Sequence, residues 1–496
     1  MPIFLTIDFQ PQKLFNSLHD LIRMAFPAYE LKEGKADQND GYIAITSTEF
    51  ADQVLFAGSI RTNDNTTEDR QYYPITCGDV NRNVQIKRSA RIFIYHMLCH
   101  HLEKDINDYG ILTGVRPVKI VHRLLDEGLD TDSIFDSLAN EYLISSEKAH
   151  LLVDVASNNR PFLLSASEAR KRISIYIGIP FCPSRCYYCS FPGAIPAEYE
   201  SEISPFMEAL IREMNEVGDY IKHNHLSVET IYIGGGTPTV LNVSDLSRIF
   251  EVLHRQYISG ATVEVTVEAG RPDTLSPSMV SFIKQSGVNR ICINPQSMND
   301  ETLRLIGRKH DSQAVIEAVE WARSVGIKHI NMDLIVGLPG ENIEGYLNTA
   351  EKVVNLKPEN VTVHTLAVKR GSLMAENEAR SRVLSQVAEV ERGLNAFAEI
   401  LSHDLYVPYY LYRQKYMQAP MENTGYSIPG CFCLYNIQMI EERQTILGLG
   451  GGASSKFVNA ADWSLVSLHN PKHPRSYCQT VESLIARKVD KLRALN

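Results

Sequence analysis

Three cysteines in the run Cys182-Pro-Ser-Arg-Cys186-Tyr-Tyr-Cys189 are separated by three residues and then two, and Tyr176-Ile-Gly-Ile-Pro180-Phe181 leads into them. Three thiolates on one short loop can hold three irons of a 4Fe-4S cube and leave the fourth iron open. An open iron binds a substrate or cofactor, so this spacing points to chemistry and not only to electron storage. Structural zinc wants four nitrogen or sulfur ligands, and no fourth stands nearby. A disulfide framework fits poorly with nine cysteines, an odd number, and no secretion signal.

Other chemistry-bearing groups follow at regular intervals. They are Gly234-Gly-Gly-Thr-Pro238, then Glu268 with Ala-Gly-Arg271-Pro272, then Gln296-Ser297 and Gly307-Arg308-Lys309-His310. Next come Asp333 with Gly337-Leu-Pro-Gly340, and His364-Thr-Leu-Ala367 with Lys369-Arg370. Glycines at a strand end let a ligand approach the backbone. A carboxylate such as Glu268 can hold an ammonium group. Any one of these groups also has an ordinary structural reading; six in succession point to a site.

The elements that must position them are short β runs alternating with helices from about residue 170. The strand candidates are Ile173–Gly178, Thr230–Ile233, Thr262–Glu268, Arg290–Ile293, His329–Leu334 and Asn360–His364. Ser204-Pro205 reads as the start of one intervening helix, and Gly326 as the stop of another. Six β-α units predict a parallel sheet with right-handed crossovers, too few for a closed eight-fold barrel. The expected fold class is α/β, a partial (β/α)6 barrel with an N-terminal α+β domain and a mostly helical C-terminal extension. The chemistry-bearing groups fall at the C-terminal strand ends, where barrels of this kind carry their active sites.

Three domains are expected: 1–165, 170–385 and 390–496, with Ser157-Asn-Asn-Arg-Pro161 as the linker after the first. In the first domain Gly41–Thr46 alternates like a strand, residues 84–104 pattern as a helix, and another helix starts near Pro117. Cys77, Cys99, Cys292 and Cys478 read as isolated buried thiols, Cys431 and Cys433 as a packed pair, and His100-His101 as a helix-surface pair.

Composition sets outer limits. The chain has 496 residues, 44% of them hydrophobic, with a net charge of −10. That charge argues against nonspecific nucleic-acid binding, so an anionic substrate must be met by specific cations. No apolar run approaches the ~18 residues that span a bilayer. Met1-Pro-Ile-Phe-Leu-Thr-Ile-Asp8 has neither a basic n-region nor a cleavage site, which predicts a cytoplasmic protein without a membrane partner.

The run from Tyr176 to Cys189, the Gly234–Pro238 loop, Glu268 and Asp333 resemble the radical S-adenosylmethionine superfamily, and more narrowly its oxygen-independent coproporphyrinogen III oxidase group. Pro408-Tyr-Tyr-Leu-Tyr-Arg413-Gln-Lys415, Leu434-Tyr-Asn436, Gly448-Leu-Gly-Gly-Gly-Ala-Ser454 and Gly110-Ile-Leu-Thr-Gly-Val-Arg116-Pro117 are similar to the HemZ-type branch. The resemblance implies that Cys182, Cys186 and Cys189 carry a 4Fe-4S cluster. It further implies that Tyr176, Gly235 and Glu268 hold the S-adenosylmethionine bound to it. Tyr188, Gly236, Thr237, Gln296, Arg308, Asp333 and Ala367 match a second site, which a second S-adenosylmethionine occupies in the best-known enzyme of the group. Ser454 stands where that enzyme has an apolar residue over the first site. Ser190-Phe191 replaces a further cysteine found there, and an extra N-terminal domain replaces its N-terminal arm.

The implied reaction is radical oxidative decarboxylation of coproporphyrinogen III propionates to vinyl groups, giving protoporphyrinogen IX. It needs a tetrapyrrole substrate and a low-potential donor such as a flavodoxin or ferredoxin, and the expected state is a monomer. The substrate carries four carboxylates, which arginine forks suit. Arg370 and Arg413, assisted by Lys369 and Lys415, are the candidate propionate clamp. The N-terminal domain has three open roles: capping the barrel, binding the donor, or meeting propionates through Arg116 and Lys119. Two readings compete with the decarboxylase. One is a haem-binding or haem-trafficking relative, although Cys431-Phe-Cys433-Leu-Tyr-Asn436 replaces the His-Asn-x-x-Tyr-Trp run typical of those proteins. The other is a radical methyltransferase acting on a tetrapyrrole.

Overall fold

Strand β6, Arg172–Ile179, sets the pattern for the site. Its sequence alternates strictly, so Ile173, Ile175, Ile177 and Ile179 fall on one face and are at most 2% exposed. Ser174, Tyr176 and Gly178 fall on the other. The computed structural model describes residues 3–35, 41–62, 65–76, 82–190, 196–368, 371–377, 387–414 and 421–494. Cys77, Lys369, Arg370 and Lys415 lie outside the described residues.

The described chain divides into two compact units, Met1–Val153 and Asp154–Asn496. In the first, strands β1 (Ile3–Gln10), β2 (Tyr29–Glu33), β3 (Gly41–Glu49), β4 (Gln53–Thr62) and β5 (Asn65–Pro74) form a sheet ordered β2-β1-β3-β4-β5. The helix Arg82–Leu102 covers β4 and β5, with Phe93 stacked on Phe56 at 5.7 Å. That packing corrects one expectation. His101 is buried, its ring nitrogens bonded to Thr62 Oγ1 (2.6 Å) and Thr67 Oγ1 (2.9 Å), while His100 remains exposed.

In the second unit β6 begins a run of parallel neighbours: β7 (Ser227–Gly235), β8 (Glu264–Glu268), β9 (Arg290–Cys292), β10 (His329–Val336) and β11 (Asn360–Thr365). All six expected strands form in the expected order. The helices between them are fixed by their ends. Asn242 caps Val243–Gln256, Asp311 caps Ser312–Ser324 and Asn342 caps Ile343–Asn355, each through its side chain. Gly326 ends the second of these with φ +77°. Leu210, Met214, Ile249, Leu253 and Val319 on the helices meet Ile175, Ile231, Val267, Ile291 and Met332 on the strands in one core.

β6 and β11 do not close on each other. The C-terminal region extends both edges, so the sheet has eleven strands ordered β12-β13-β11-β10-β9-β8-β7-β6-β14-β15-β16. These added strands are β12 (Val407–Tyr412), β13 (Asn423–Ser427), β14 (Thr445–Gly450), β15 (Ser454–Val458) and β16 (Leu465–His469). The C-terminal extension therefore carries sheet edges as well as the helices Val387–His403, Leu434–Glu441 and Pro474–Arg493. Residues 390–496 share the barrel's compact unit, so the expected boundary near 390 has no counterpart.

Two local expectations are also corrected. Pro205 lies inside the helix Pro196–His223 instead of starting it. The segment 157–161 is no open linker, because the helix Ser146–Asn159 runs through it and the buried Asn159 donates Nδ2 to Glu441 Oε1 at 3.1 Å. No helix among the described residues is long and apolar enough to cross a membrane.

Candidate active site

The strand residues that point away from the helices are polar. Register pairs Tyr176 with Tyr232 and Gly448, Thr230 with Glu264, Glu268 with Cys292, and Asp333 with Thr362. Since alternate residues face opposite sides, one concave surface carries Tyr176, Tyr232, Glu268, Cys292 and Asp333 together. The apolar alternates are spent on the helices, and what remains is a lined cleft.

The cysteine loop follows β6 directly. Tyr187 donates its backbone N–H to Ile306 O (3.0 Å) and accepts from Met374 N (3.0 Å), which pins the loop between two helices. Thr237 Oγ1 donates to Cys182 Sγ at 3.8 Å, and Arg271 Nη1 donates to Cys186 Sγ at 3.4 Å. Each of the three stands outside any disulfide. Burial, with the neighbouring Cys189 and Cys186, pushes the Cys182 thiol up to about 11, and a bound metal would deprotonate it outright. Among the described residues no three His, Cys, Asp or Glu converge as around a single metal ion. Thiolates on three different irons of a cube are spread more widely than that. A Cβ on Gly236 would come within 2.3 Å of Phe181 O and 2.9 Å of Cys182 Sγ, so only glycine leaves room there. Thiols outside any disulfide, hydrogen-bond donors aimed at two of the sulfurs and a bare glycine floor all fit a cluster held by Cys182, Cys186 and Cys189.

Glu268 ends β8 beside the glycine turn. A Cβ on Gly234 would lie 2.6 Å from Glu268 Oε2, so the carboxylate passes directly over the backbone. Desolvation, with the charge of Asp333 adding to it, raises Glu268 to about 8; a hydrogen bond from the Gly235 N–H works against the shift. A cationic ammonium is the partner such a carboxyl lacks, which fits the amino group of S-adenosylmethionine. Behind it three tyrosines stack: Tyr176 on Tyr232 at 6.0 Å, Tyr232 on Tyr435 at 4.6 Å, and Tyr176 on Tyr435 at 6.1 Å. The burial of Tyr176 keeps its phenol neutral.

Within the second expected group the structure joins Arg308 with Tyr188 and Gln296 with Asp333. Arg308, 8% exposed, donates to Gly270 O (2.6 Å), Asn294 O (3.1 Å) and Tyr188 OH (3.0 Å), so the cysteine loop and the β8 and β9 ends share one guanidinium. Gln296 holds φ +68° and donates its backbone N–H to Asp333 O at 2.9 Å. His364 Nε2 stands 3.8 Å from Asp333 Oδ2, and its Nδ1 meets Tyr412 OH at 3.2 Å.

Ala367 is half-buried just after β11, and Ser454 is half-buried at the start of β15. Arg413, after β12, is only 6% exposed and so is no solvated surface arginine. The other three residues of the candidate clamp lie outside the described residues.

Sequence reasoning missed Tyr232, Tyr435, Asp273 and the site position of Cys292. The buried Cys292 lies 3.5 Å from Tyr232 OH, whereas Cys99 and Cys478 are only half-buried. Arg271 and His310 stood in recognised runs without a role. Cys433 is fully buried with its Sγ 3.3 Å from Glu264 Oε1, a packing role.

Residues 176–353 match the Radical SAM superfamily. Over 484 residues the chain is 33% identical to the oxygen-independent coproporphyrinogen-III oxidase-like protein HemZ of Bacillus subtilis (strain 168), covering 97% of this chain and 96% of that one. It is 27% identical over 308 residues to the heme chaperone HemW of Escherichia coli (strain K12), covering 62% of this chain and 76% of the chaperone. The solved structure of coproporphyrinogen III oxidase (HemN) from Escherichia coli, a radical SAM enzyme, shares the fold with a TM-score of 0.50 and 22% identity over 66% of this chain and 73% of that one. With near end-to-end similarity added to a cysteine loop, glycine turn and strand-end carboxylates on one concave face, the chain belongs to the radical SAM superfamily, in the HemZ-type branch of its oxygen-independent coproporphyrinogen III oxidase group.

Proposed function

We propose that the protein is a radical S-adenosylmethionine oxidoreductase that converts propionate side chains of coproporphyrinogen III to vinyl groups. The observation that carries this reading is the meeting of Glu268, Asp333, Arg308 and the cysteine loop at one end of a polar cleft. Cys182, Cys186 and Cys189 would hold the cluster. Glu268 would take the ammonium of S-adenosylmethionine, with Tyr176 beside it, and Gly235 would let that cofactor lie against the backbone. When bound, cluster and cofactor supply a 5′-deoxyadenosyl radical able to take hydrogen from unactivated carbon.

The chain's own work is positioning and exclusion. Tyr176, Tyr232 and Tyr435 form a close-packed floor that keeps water from beneath the site. Tyr188, Gly236, Thr237, Gln296, Arg308, Asp333 and Ala367 form the second site, for a second S-adenosylmethionine. Arg413, fixed by burial, offers a planar fork for a propionate, with Lys369, Arg370 and Lys415 completing the clamp. The substrate then loses a hydrogen atom, carbon dioxide and one electron. A low-potential flavodoxin or ferredoxin would supply the reducing electron, and a separate one-electron acceptor would take the electron released by the substrate.

The test is anaerobic turnover of iron-reconstituted protein with a low-potential reductant, S-adenosylmethionine and coproporphyrinogen III, read by mass spectrometry. Vinyl products with 5′-deoxyadenosine support the reading. Deoxyadenosine without porphyrin conversion rejects the substrate and keeps the radical chemistry. A methylated tetrapyrrole with S-adenosylhomocysteine replaces it with a methyltransferase. No product, together with stoichiometric haem binding, replaces it with a haem-trafficking role.

A further inference from the structure

Arg271, three residues beyond Glu268, is 4% exposed, and each of its three guanidinium nitrogens donates a hydrogen bond. One edge of its guanidinium is gripped by the Asp273 carboxylate, Nε to Oδ1 2.8 Å and Nη2 to Oδ2 2.8 Å. The other edge faces the cysteine loop, where Nη1 donates to Cys186 Sγ (3.4 Å) and Nη2 to Ser184 Oγ (3.0 Å). The backbone beneath is also fixed: Thr274 Oγ1 donates to Arg271 O at 2.8 Å and meets Thr239 Oγ1 at 2.6 Å. Asp273 has a further neighbour in the buried His310, whose Nδ1 lies 3.7 Å from Oδ1. Burial alone would raise the Asp273 carboxyl, but the nearby His310 ring and the hydrogen bonds from Arg271 hold it far below its ordinary value, so it stays ionised.

Nothing in binding S-adenosylmethionine or a tetrapyrrole requires this arrangement. The guanidinium touches neither the glycine turn nor Asp333; its contacts are a cluster ligand, that ligand's loop and one carboxylate. We propose that Arg271 sets the reduction potential of the cluster, with Asp273 as its counterweight. Reduction adds one negative charge beside Cys186. A fixed cation hydrogen-bonded to that sulfur stabilises the reduced state and raises the potential, while the carboxylate behind it lowers the potential. The electron comes from a low-potential one-electron donor, and the pair decides how readily that donor fills the cluster. This inference rests on the cluster reading of the three cysteines, not on the identity of the substrate.

The experiment is an EPR-monitored redox potentiometry of full-length, iron-reconstituted protein, with iron and sulfide counted in each sample. Arg271→Gln is expected to lower the reduced-to-oxidised ratio at the wild-type midpoint at least about tenfold, which is 59 mV for a one-electron couple. Asp273→Asn is expected to shift the midpoint the opposite way, and Arg271→Lys to restore part of the loss. Opposite signs from the two ends of one ion pair are an electrostatic signature that a loosened loop would not give. An unchanged midpoint in Arg271→Gln, or shifts of the same sign in both variants, overturns the proposal. Should Arg271→Gln hold no iron, Asp273→Asn decides: a raised midpoint supports the assignment and an unmoved one rejects it. A wild-type protein that takes up no cubane sulfide and iron overturns the cluster reading itself, which the metal counts show independently of any potential.

Discussion

Glu264 and Arg290 form a buried ion pair at the N-terminal ends of β8 and β9, Oε2 to Nε 3.1 Å, with side chains 6% and 2% exposed. Arg290 Nη1 donates to Asn331 and Asn360 on β10 and β11, and both members of the pair also reach the C-terminal segment. Arg290 Nη2 donates to Cys431 O and Phe432 O, both at 3.0 Å, and Glu264 accepts from Leu434 N and Tyr435 N, both at 3.1 Å. The pair thereby caps the helix Leu434–Glu441 and presses Tyr435 up against Tyr232 and Tyr176, tying the foot of the barrel to the floor of the site.

Removing one partner should therefore do more than break a bond. Arg290→Met leaves Glu264 buried without its cation, a change that costs roughly 3–5 kcal/mol in comparable pairs. Urea unfolding should show that loss, and S-adenosylmethionine affinity should fall because Tyr435 is released. A variant as stable as the wild type would mean that the loop carbonyls and amides hold the foot without the charges.

Glu268 gives the cleft a pH signature. Its folded-state value of about 8 lies above the ordinary 4.5, so between those values the folded chain binds more protons than the unfolded one. Stability attributable to this group is therefore complete below about 4.5, falls as pH rises through the window, and is flat above about 8. Glu268→Gln should abolish that slope in unfolding measured between pH 5 and 8. A cationic amine arriving beside the carboxyl favours its ionised form, so S-adenosylmethionine binding near pH 7 should release a proton in the wild type and none in Glu268→Gln. Calorimetry in buffers of different ionisation enthalpy reads this directly.

The glycine at the cluster loop allows a sharper steric test. Gly236→Ala would drive a methyl against Phe181 O and Cys182 Sγ, one a backbone atom and the other a ligand, and neither can move alone. The strain should be about 1–3 kcal/mol, relieved by displacing Cys182, so most of the cluster iron should be lost on reconstitution. Gly260→Ala, with nothing within 4 Å of the added carbon, should bind iron as the wild type does. Equal iron in both variants would remove Gly236 from the cluster cradle.

How much of this was legible follows from what each residue depends on. β6 to β11 were readable because β-branched alternates pack locally against their own crossover helices. β14, Thr-Ile-Leu-Gly-Leu-Gly, reads as a glycine loop, and only pairing with β6, about 270 residues away, makes it a strand. Pro205 suggested a helix start because the residue type favours first turns; here the flanking packing of Phe206 and Leu210 carries the helix through it. Cys182, Glu268 and Asp333 announced themselves by type near strand ends, and Arg308 by its Gly-Arg-Lys-His run after the helix that follows β9. Tyr435 and the Arg271–Cys186 contact did not, since each depends on a partner that only the folded sheet brings near.

Glu213 and Lys488, both wholly buried, form an ion pair joining the helices Pro196–His223 and Pro474–Arg493. Glu213 Oε2 also accepts from Tyr477 OH (2.6 Å) and from Gly450 N (2.7 Å), and Gly450 turns at φ +88° against Gly178, just ahead of the cluster loop. Lys488→Met strands a buried carboxylate and should destabilise by roughly 3–5 kcal/mol. Adding Glu213→Gln should recover part of that loss, because the amide oxygen still accepts from Gly450 or Tyr477 and no charge is left alone. Adding Glu213→Leu should recover less, since it strands both donors at about 1–3 kcal/mol each. The order Gln above Leu in the double variants, read by chemical unfolding, would assign the role of Glu213 to holding the Gly450 turn; the reverse order would reduce it to the charge pair alone.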